Sequence, residues 1–183
     1  SSIRITGLPY RERPDDNLLL SLQDREPFEG TEVLLLHCSL DAPFDDHETG
    51  DEGAHRYFPV TEELLTELGF DYYFAGHYHS PHQVSFSDGS EFTYPGTPAS
   101  TRTSETGQRR VSVLDPDDGI SFEPLDTFHY VSRDFTATPG AEQELLDDIR
   151  AWAQQHITDS SEASIHVDGF VEMDEGKFHE ELT

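Results

Sequence analysis

The chain has 183 residues, of which 34% are hydrophobic, and its 11 basic and 38 acidic side chains give a formal net charge of −27. This composition excludes a fully disordered chain, because the apolar residues recur in strand and helix patterns, and it excludes a membrane-spanning helix, which needs ~20 apolar residues in a row. The single cysteine, Cys38, excludes an internal disulfide and favours a reducing, cytoplasmic environment. The opening segment SSIRITGLPY predicts no secretory signal. It also lacks Met, and we expect the sequence to be a fragment of a longer protein.

The acidic charge has two interpretations. An acidic chain is repelled by nucleic acids and membranes, because binding them by counterion release requires cationic groups. The alternative is adaptation to a very salty cytoplasm, where a Debye length of ~3 Å at molar salt screens the repulsion between carboxylates. Lys177 is the only lysine among the basic residues, and acids occur in most segments. We favour the halophilic interpretation, under which the net charge says little about the ligand.

The first part of the chain predicts alternating strands and helices. Residues 31–37 (TEVLLLH) form a continuous apolar run, which is typical of a strand buried on both faces. Thr61 and Gly69 predict the beginning and end of a helix over 62–68. Further elements predicted here are a strand over 2–5, a short helix over 17–22 and a second buried strand over 70–75.

The segment 41–60 is rich in Asp, Glu, Gly and His. Its acids and histidines could indicate a metal site, but a solvated loop is the interpretation that we favour.

The second part of the chain predicts antiparallel hairpins and then a β-α-β unit. Asp88-Gly89 indicates a hairpin between strands at 84–86 and 91–94. Residues 115–119 indicate a second hairpin, between strands at 108–114 and 120–122. After Thr127 we predict a strand over 130–135, a helix over 141–156 and a strand over 164–171. The helix carries one apolar stripe, formed by Leu145, Ile149, Trp152 and His156.

Three of the ten histidines follow predicted buried strands. His37 ends one strand, and His77 and His79 follow the next. In open α/β sheets ligands bind outside the carboxyl ends of the strands, and imidazole is a common ligand of divalent metal ions. We therefore predict that these three residues form a metal site. The other histidines are interpreted as surface or hydrogen-bonded residues: His47, His55, His82, His129, His156, His166 and His179.

The run Leu34-Leu35-Leu36-His37, followed by Gly76-His77-Tyr78-His79, resembles the last two motifs of the calcineurin-like metallophosphoesterases. The segment Thr93-Tyr94-Pro95-Gly96-Thr97 narrows the resemblance to the SbcD-type nucleases of DNA double-strand-break repair. The opening Ile3-Arg4-Ile5-Thr6-Gly7 and the terminal β-α-β unit are also similar to parts of that family. The similarity is strongest over 31–114.

The resemblance implies an α/β fold with α+β character. Residues 1–126 would be the carboxyl-terminal half of a metallophosphoesterase β-sandwich flanked by helices, and 127–183 a small β-α-β capping subdomain that binds DNA. It implies a dinuclear site, usually manganese, in which His37 and His77 bind one ion and His79 binds the other. It further implies Mn-dependent exonuclease or endonuclease activity on DNA, a homodimer of the complete protein and a partner ATPase of the SMC type.

The chain also departs from the family. The family's early motifs, which carry an Asp-x-His, a bridging Asp and a catalytic His, have no counterpart here, so we expect the catalytic His outside this chain and no activity of the chain alone. Contacts to DNA phosphates are suggested for four arginines, for which a role in surface solubility is equally open: Arg102, Arg109, Arg110 and Arg133. Two alternative functions stay open: another calcineurin-like phosphoesterase, acting on nucleotides or phosphoproteins, and a non-catalytic module.

Overall fold

The computed structural model describes residues 2–11, 16–41 and 57–182. The strands are β1 (Ile3–Gly7), β2 (Thr31–His37), β3 (Ser39–Leu40), β4 (Pro59–Val60), β5 (Tyr72–Gly76), β6 (His82–Ser85), β7 (Glu91–Tyr94), β8 (Arg110–Asp115), β9 (Gly119–Pro124), β10 (His129–Ala137) and β11 (Ser161–Gly169). The helices are α1 (Asp16–Leu20), α2 (Glu62–Leu68), α3 (Glu142–His156) and α4 (Glu175–Leu182). The fold is mixed α/β. Within the described part of the chain, no helix is long and apolar enough to cross a membrane.

The chain divides into two compact units. The first comprises residues 1–98 and 110–125, and the second comprises 99–109 and 126–183. Residues 99–109, which the sequence-based division at 126/127 assigns to the first domain, therefore group with the second unit.

A five-stranded sheet in the order β1-β2-β5-β7-β6 forms the centre of the first unit. β1, β2, β5 and β7 are parallel, and β6 pairs with β7 in the antiparallel hairpin that Asp88-Gly89 predicts. The helix predicted between β4 and β5 is confirmed. Thr61 Oγ1 accepts a hydrogen bond from the Leu64 amide at 3.2 Å, and Gly69 closes the helix with a φ of +67°.

One face of this sheet forms the core, and the other is partly open. The core face includes Leu34, Tyr73 and Phe92, all fully buried. On the opposite face Leu35 is 42% exposed and Ile5 is 63% exposed. The prediction that β2 is buried on both faces is therefore wrong at Leu35, because the apolar run shows that the side chains are apolar but not which of them another layer covers.

The interpretation of 41–60 as a solvated loop is wrong at its end. Phe58 and Val60 are buried, and Val60 belongs to β4, which pairs in parallel with β3. Residues 42–56 lie outside the described residues, so the prediction of a solvated loop is not tested there.

Glu32 on β2 lies between two guanidinium groups. Its carboxylate accepts hydrogen bonds from Arg4 Nε at 2.8 Å and from Arg25 Nε at 3.0 Å. Arg25 Nη2 also donates to the Gly69 carbonyl at 2.8 Å, and its guanidinium stacks on the Phe70 ring. The hydrogen bond from Arg25 is the main cause that holds the pKa of Glu32 below its ordinary value. These contacts fasten the start of β2 to the end of α2.

The second unit contains the predicted β-α-β arrangement. β10 and β11 pair in parallel from His129 opposite Ser161 to Ala137 opposite Gly169, and α3 connects them. Three members of the predicted stripe are buried: Leu145, Ile149 and Trp152. The fourth, His156, is exposed and stacks on Trp152. The sequence reading did not include α4, whose Phe178 is buried in the same core.

Candidate metal centre

Two of the three predicted ligands meet at the carboxyl edge of the sheet. The last residue of β2, His37, lies opposite Gly76 of β5, and His77 follows directly. The two imidazole rings have centroids 5.3 Å apart and an interplanar angle of 70°. Both side chains are half-buried. The parallel register of β2 and β5 therefore brings the two imidazoles together.

Gly76 makes room for the His37 ring. A Cβ built on Gly76 would lie 3.0 Å from Nδ1 of His37. The backbones are joined at the same place, where the Cys38 amide donates to the Gly76 carbonyl at 3.3 Å. A side chain at position 76 would therefore require the His37 ring to shift by a few tenths of an ångström, and the glycine of the Gly-His-x-His motif avoids that shift.

His77 has an unusual backbone conformation. Its φ is +120°, a region that residues with a Cβ rarely occupy. Such a conformation costs on the order of 1–3 kcal/mol and persists only where the surroundings enforce it. Strain of this kind concentrates at functional sites, and here it occurs at the residue whose ring lies beside that of His37.

Two tyrosines flank the histidine pair. The rings of Tyr10 and Tyr57 stack with centroids 4.9 Å apart, and the Tyr57 ring lies 5.1 Å from that of His37. The Tyr57 hydroxyl accepts a hydrogen bond from the Arg11 amide at 3.0 Å and donates to the Arg11 carbonyl. Tyr10 is 64% exposed, so its outer face is open to a ligand. Sequence reasoning missed both residues, and Tyr57 lay in the segment interpreted as a solvated loop.

Burial lowers the pKa of His37, and the electrostatic effect of the adjacent His77 lowers it further. Both effects act against the imidazolium form. They favour the neutral form of His37, which has a lone pair for a ligand, as metal coordination requires.

The structure does not join His79 to the pair in a common ligand group. In the ranges 2–11, 16–41 and 57–182 there is no group of three or more His, Cys, Asp or Glu side chains suited to one metal ion. His79 instead has a clear backbone role, because its carbonyl accepts from the Thr97 amide at 3.1 Å. A Cβ on Gly96 would lie 2.7 Å from that carbonyl oxygen, so the Gly96-Thr97 turn is built around it.

The donor set fits a partial metal site. Two imidazoles bound to one ion at about 2.1 Å have ring centroids about 5 Å apart, and the observed separation is 5.3 Å. The separation is compatible with two imidazoles on one ion, and it also lies in the ordinary range of an edge-to-face ring contact.

The four arginines suggested for DNA contacts differ in accessibility. Arg109 is 4% exposed, so it is not accessible to a phosphate group. Arg110 lies with its guanidinium carbon 3.9 Å from the centre of the Phe122 ring. Arg102 and Arg133 are exposed, and both belong to the second unit.

Comparison with known proteins adds no assignment. No family model matches the chain, and no curated protein matches its sequence.

Proposed function

We propose that this chain supplies His37 and His77 as ligands to a metal centre that hydrolyses phosphodiester bonds in DNA. The protein would be a Mn-dependent exonuclease or endonuclease of the SbcD type, within the calcineurin-like metallophosphoesterases. His79 would bind the second ion of the dinuclear site. The first unit would be the corresponding half of the metallophosphoesterase β-sandwich.

The observation that carries this proposal is the close histidine pair at the carboxyl edge of the sheet. The 5.3 Å between the ring centroids agrees with the resemblance, in which these two residues bind the same ion. The positive φ of His77 supports a functional reason for the arrangement, since a surface histidine has no need of backbone strain.

When bound, the metal would polarise the scissile phosphate and lower the pKa of a water molecule so that hydroxide is available near neutral pH. The chain's own residues hold the ligands in place. Burial favours the neutral form of His37, the strained backbone holds His77 beside it, and the stacked Tyr10 and Tyr57 rings lie against the His37 ring.

The β-α-β unit would hold the DNA backbone, as the resemblance implies. Arg102 and Arg133 are the accessible candidates for phosphate contacts in that unit. The complete protein would act as a homodimer with an SMC-type repair ATPase.

Metal binding tests the ligand assignment. We expect the 183-residue chain, titrated with Mn²⁺ at molar salt, to bind one ion weakly. His37→Ala and His77→Gly should each weaken binding by about tenfold or more. His166→Ala is the matched control, because His166 is an exposed histidine of the second unit. Absence of Mn²⁺ binding, or binding unchanged in both site variants, would contradict the proposal.

Hydrolysis tests the substrate. We expect no cleavage of duplex DNA by this chain alone, because the carboxylate and catalytic His motifs of the family have no counterpart in its sequence. Robust Mn-dependent cleavage by the purified chain would contradict that expectation. Hydrolysis of a phosphomonoester without any action on DNA would favour the alternative of a nucleotide or phosphoprotein phosphatase.

A further inference from the structure

Tyr94, the last residue of β7, reaches the backbone that follows His37. The residue is fully buried, and β5 separates its strand from β2 in the sheet. Its hydroxyl donates to the Cys38 carbonyl at 3.0 Å and accepts from the Leu40 amide at 2.8 Å. Both partners lie within three residues of His37, where the chain passes from β2 into β3.

The ring of Tyr94 contacts the other histidine segment. It packs edge-on against the ring of Tyr78, with centroids 4.9 Å apart. Tyr78 in turn lies 4.8 Å from the His77 ring. One buried side chain therefore touches the segment after His37 through its hydroxyl and the segment after His77 through its ring.

We propose that Tyr94 is a positioning residue that sets the separation of the His37 and His77 rings, a role that rests on the proposed function for its significance. A phenylalanine at position 94 would leave the Cys38 carbonyl and the Leu40 amide buried without this partner, which is unfavourable. The backbone after His37 would then move to find other partners, and the His37 ring would move with it. Residues 94–97 would thus contact both histidine segments, because Tyr94 binds the backbone after His37 and the Gly96-Thr97 turn binds the backbone of His79.

Tyr73 provides a matched control. It is also fully buried, and its hydroxyl also lies between two backbone groups, accepting from the Phe70 amide at 3.2 Å and donating to the Leu65 carbonyl. These partners belong to α2 and the turn before β5. They lie near the amino-terminal end of β5, whereas the histidines lie at the carboxyl ends of β2 and β5. Tyr73→Phe therefore removes the same chemical group without touching either histidine segment.

The test measures ring proximity by NMR in the metal-free protein, through the NOE cross-peak between the imidazole protons of His37 and His77. We expect both Tyr→Phe variants to lower the folding equilibrium constant, by about tenfold or more. Only Tyr94→Phe should lose the cross-peak, whereas Tyr73→Phe should keep it. A cross-peak that is unchanged in Tyr94→Phe, lost equally in Tyr73→Phe or absent from the parent chain would overturn the proposal.

A second variant covers the case in which Tyr94→Phe does not fold. Tyr78→Leu deletes the ring between Tyr94 and His77 and leaves both hydroxyl hydrogen bonds of Tyr94 in place. It should also lose the cross-peak, and an unchanged cross-peak would again overturn the proposal. The NMR experiment uses no metal, so it is independent of the Mn²⁺ titration. If the parent chain failed to bind Mn²⁺, the proposed function would be contradicted, and the spectra would still decide whether Tyr94 positions the two rings.

Discussion

The strained backbone of His77 makes a quantitative prediction about two substitutions at the same position. Alanine at 77 keeps a Cβ and therefore keeps the strain of a φ of +120°, on the order of 1–3 kcal/mol. Glycine removes that strain but loses about 0.5–1 kcal/mol through the greater freedom of the unfolded chain. We expect His77→Gly to be more stable than His77→Ala by about 1 kcal/mol, the reverse of the usual order.

The same pair of substitutions at His82 isolates the strain. His82 is half-buried and begins β6, and its φ is not positive. There Ala should be more stable than Gly by about 0.5–1 kcal/mol. The unfolded-state contribution is common to both positions, so the difference between the two Gly-minus-Ala values equals the strain at His77, about 1–3 kcal/mol.

Urea unfolding at constant molar salt, followed by far-UV circular dichroism, measures these free energies. Circular dichroism is preferable to tryptophan fluorescence because the only tryptophan, Trp152, belongs to the second unit. If Ala is favoured over Gly at 77 by as much as at 82, His77 is not strained, and the argument from strain to function fails.

Four further outcomes are expected. Gly76→Ala should displace the His37 ring and weaken Mn²⁺ binding about tenfold, whereas Gly7→Ala, where a Cβ meets nothing within 4 Å, should leave binding unchanged in the same titration. Glu32→Gln should lower the free energy of unfolding by about 1–3 kcal/mol at pH 7. The pKa of Glu32 is depressed in the folded protein, so the stabilisation by its carboxylate is present above the ordinary pKa of 4.5 and is lost as the pH falls through the folded pKa. The denaturation curves of the two proteins should therefore converge in acid and not in base. Burial raises the pKa of the Cys38 thiol from 9.0 to about 12. At pH 8 the thiol should therefore react with a disulfide reagent more slowly in the folded than in the unfolded chain, by about tenfold or more, and equal rates would show that it is not buried. With a net charge of −27, stability should rise from dilute buffer to molar salt, where the Debye length is ~3 Å, and equal stability in both would refute the halophilic interpretation.

Elements with local signals were predictable from the sequence. The helix α2 is delimited by a Thr cap and a Gly in the left-handed conformation, and both act within a few residues of the helix. The β6–β7 hairpin is set by Asp88-Gly89 in the same way. The alternation of β10, α3 and β11 also follows from short-range patterns, and the parallel pairing of its strands is the ordinary result of such a crossover.

Features that depend on distant parts of the chain were not predictable. The exposure of Leu35 and Ile5 depends on which layer covers that face of the sheet, and an apolar run does not encode this. Residues 99–109 group with the second unit through contacts such as Ser100 with Phe128, which sequence proximity does not suggest. Tyr57 was missed for the same reason, since only the parallel pairing of β3 with β4 brings it to the end of β2.

The candidate site was predictable in part. Strand-end placement correctly brought His37 and His77 together, because parallel strands end at one edge. For His79 the structure adds a backbone contact that the rule does not include, because the Gly96-Thr97 turn binds the His79 carbonyl. The direction of a chain after a strand ends depends on such tertiary contacts, and spacing alone does not supply it.

Three unfavourable features coincide at this edge of the sheet, and their coincidence argues for function without reference to any resemblance. His77 occupies a strained φ, burial works against protonation of His37, and position 76 admits no side chain larger than hydrogen without displacing the His37 ring. Each feature lowers stability or restricts the sequence, and a fold selected for stability alone would remove them independently. All three occur where the His37 and His77 rings lie side by side, and local departures from favourable structure are expected where a site requires them. The strain energy that the His77 substitutions measure is therefore also the stability that the fold loses by holding the two histidines together.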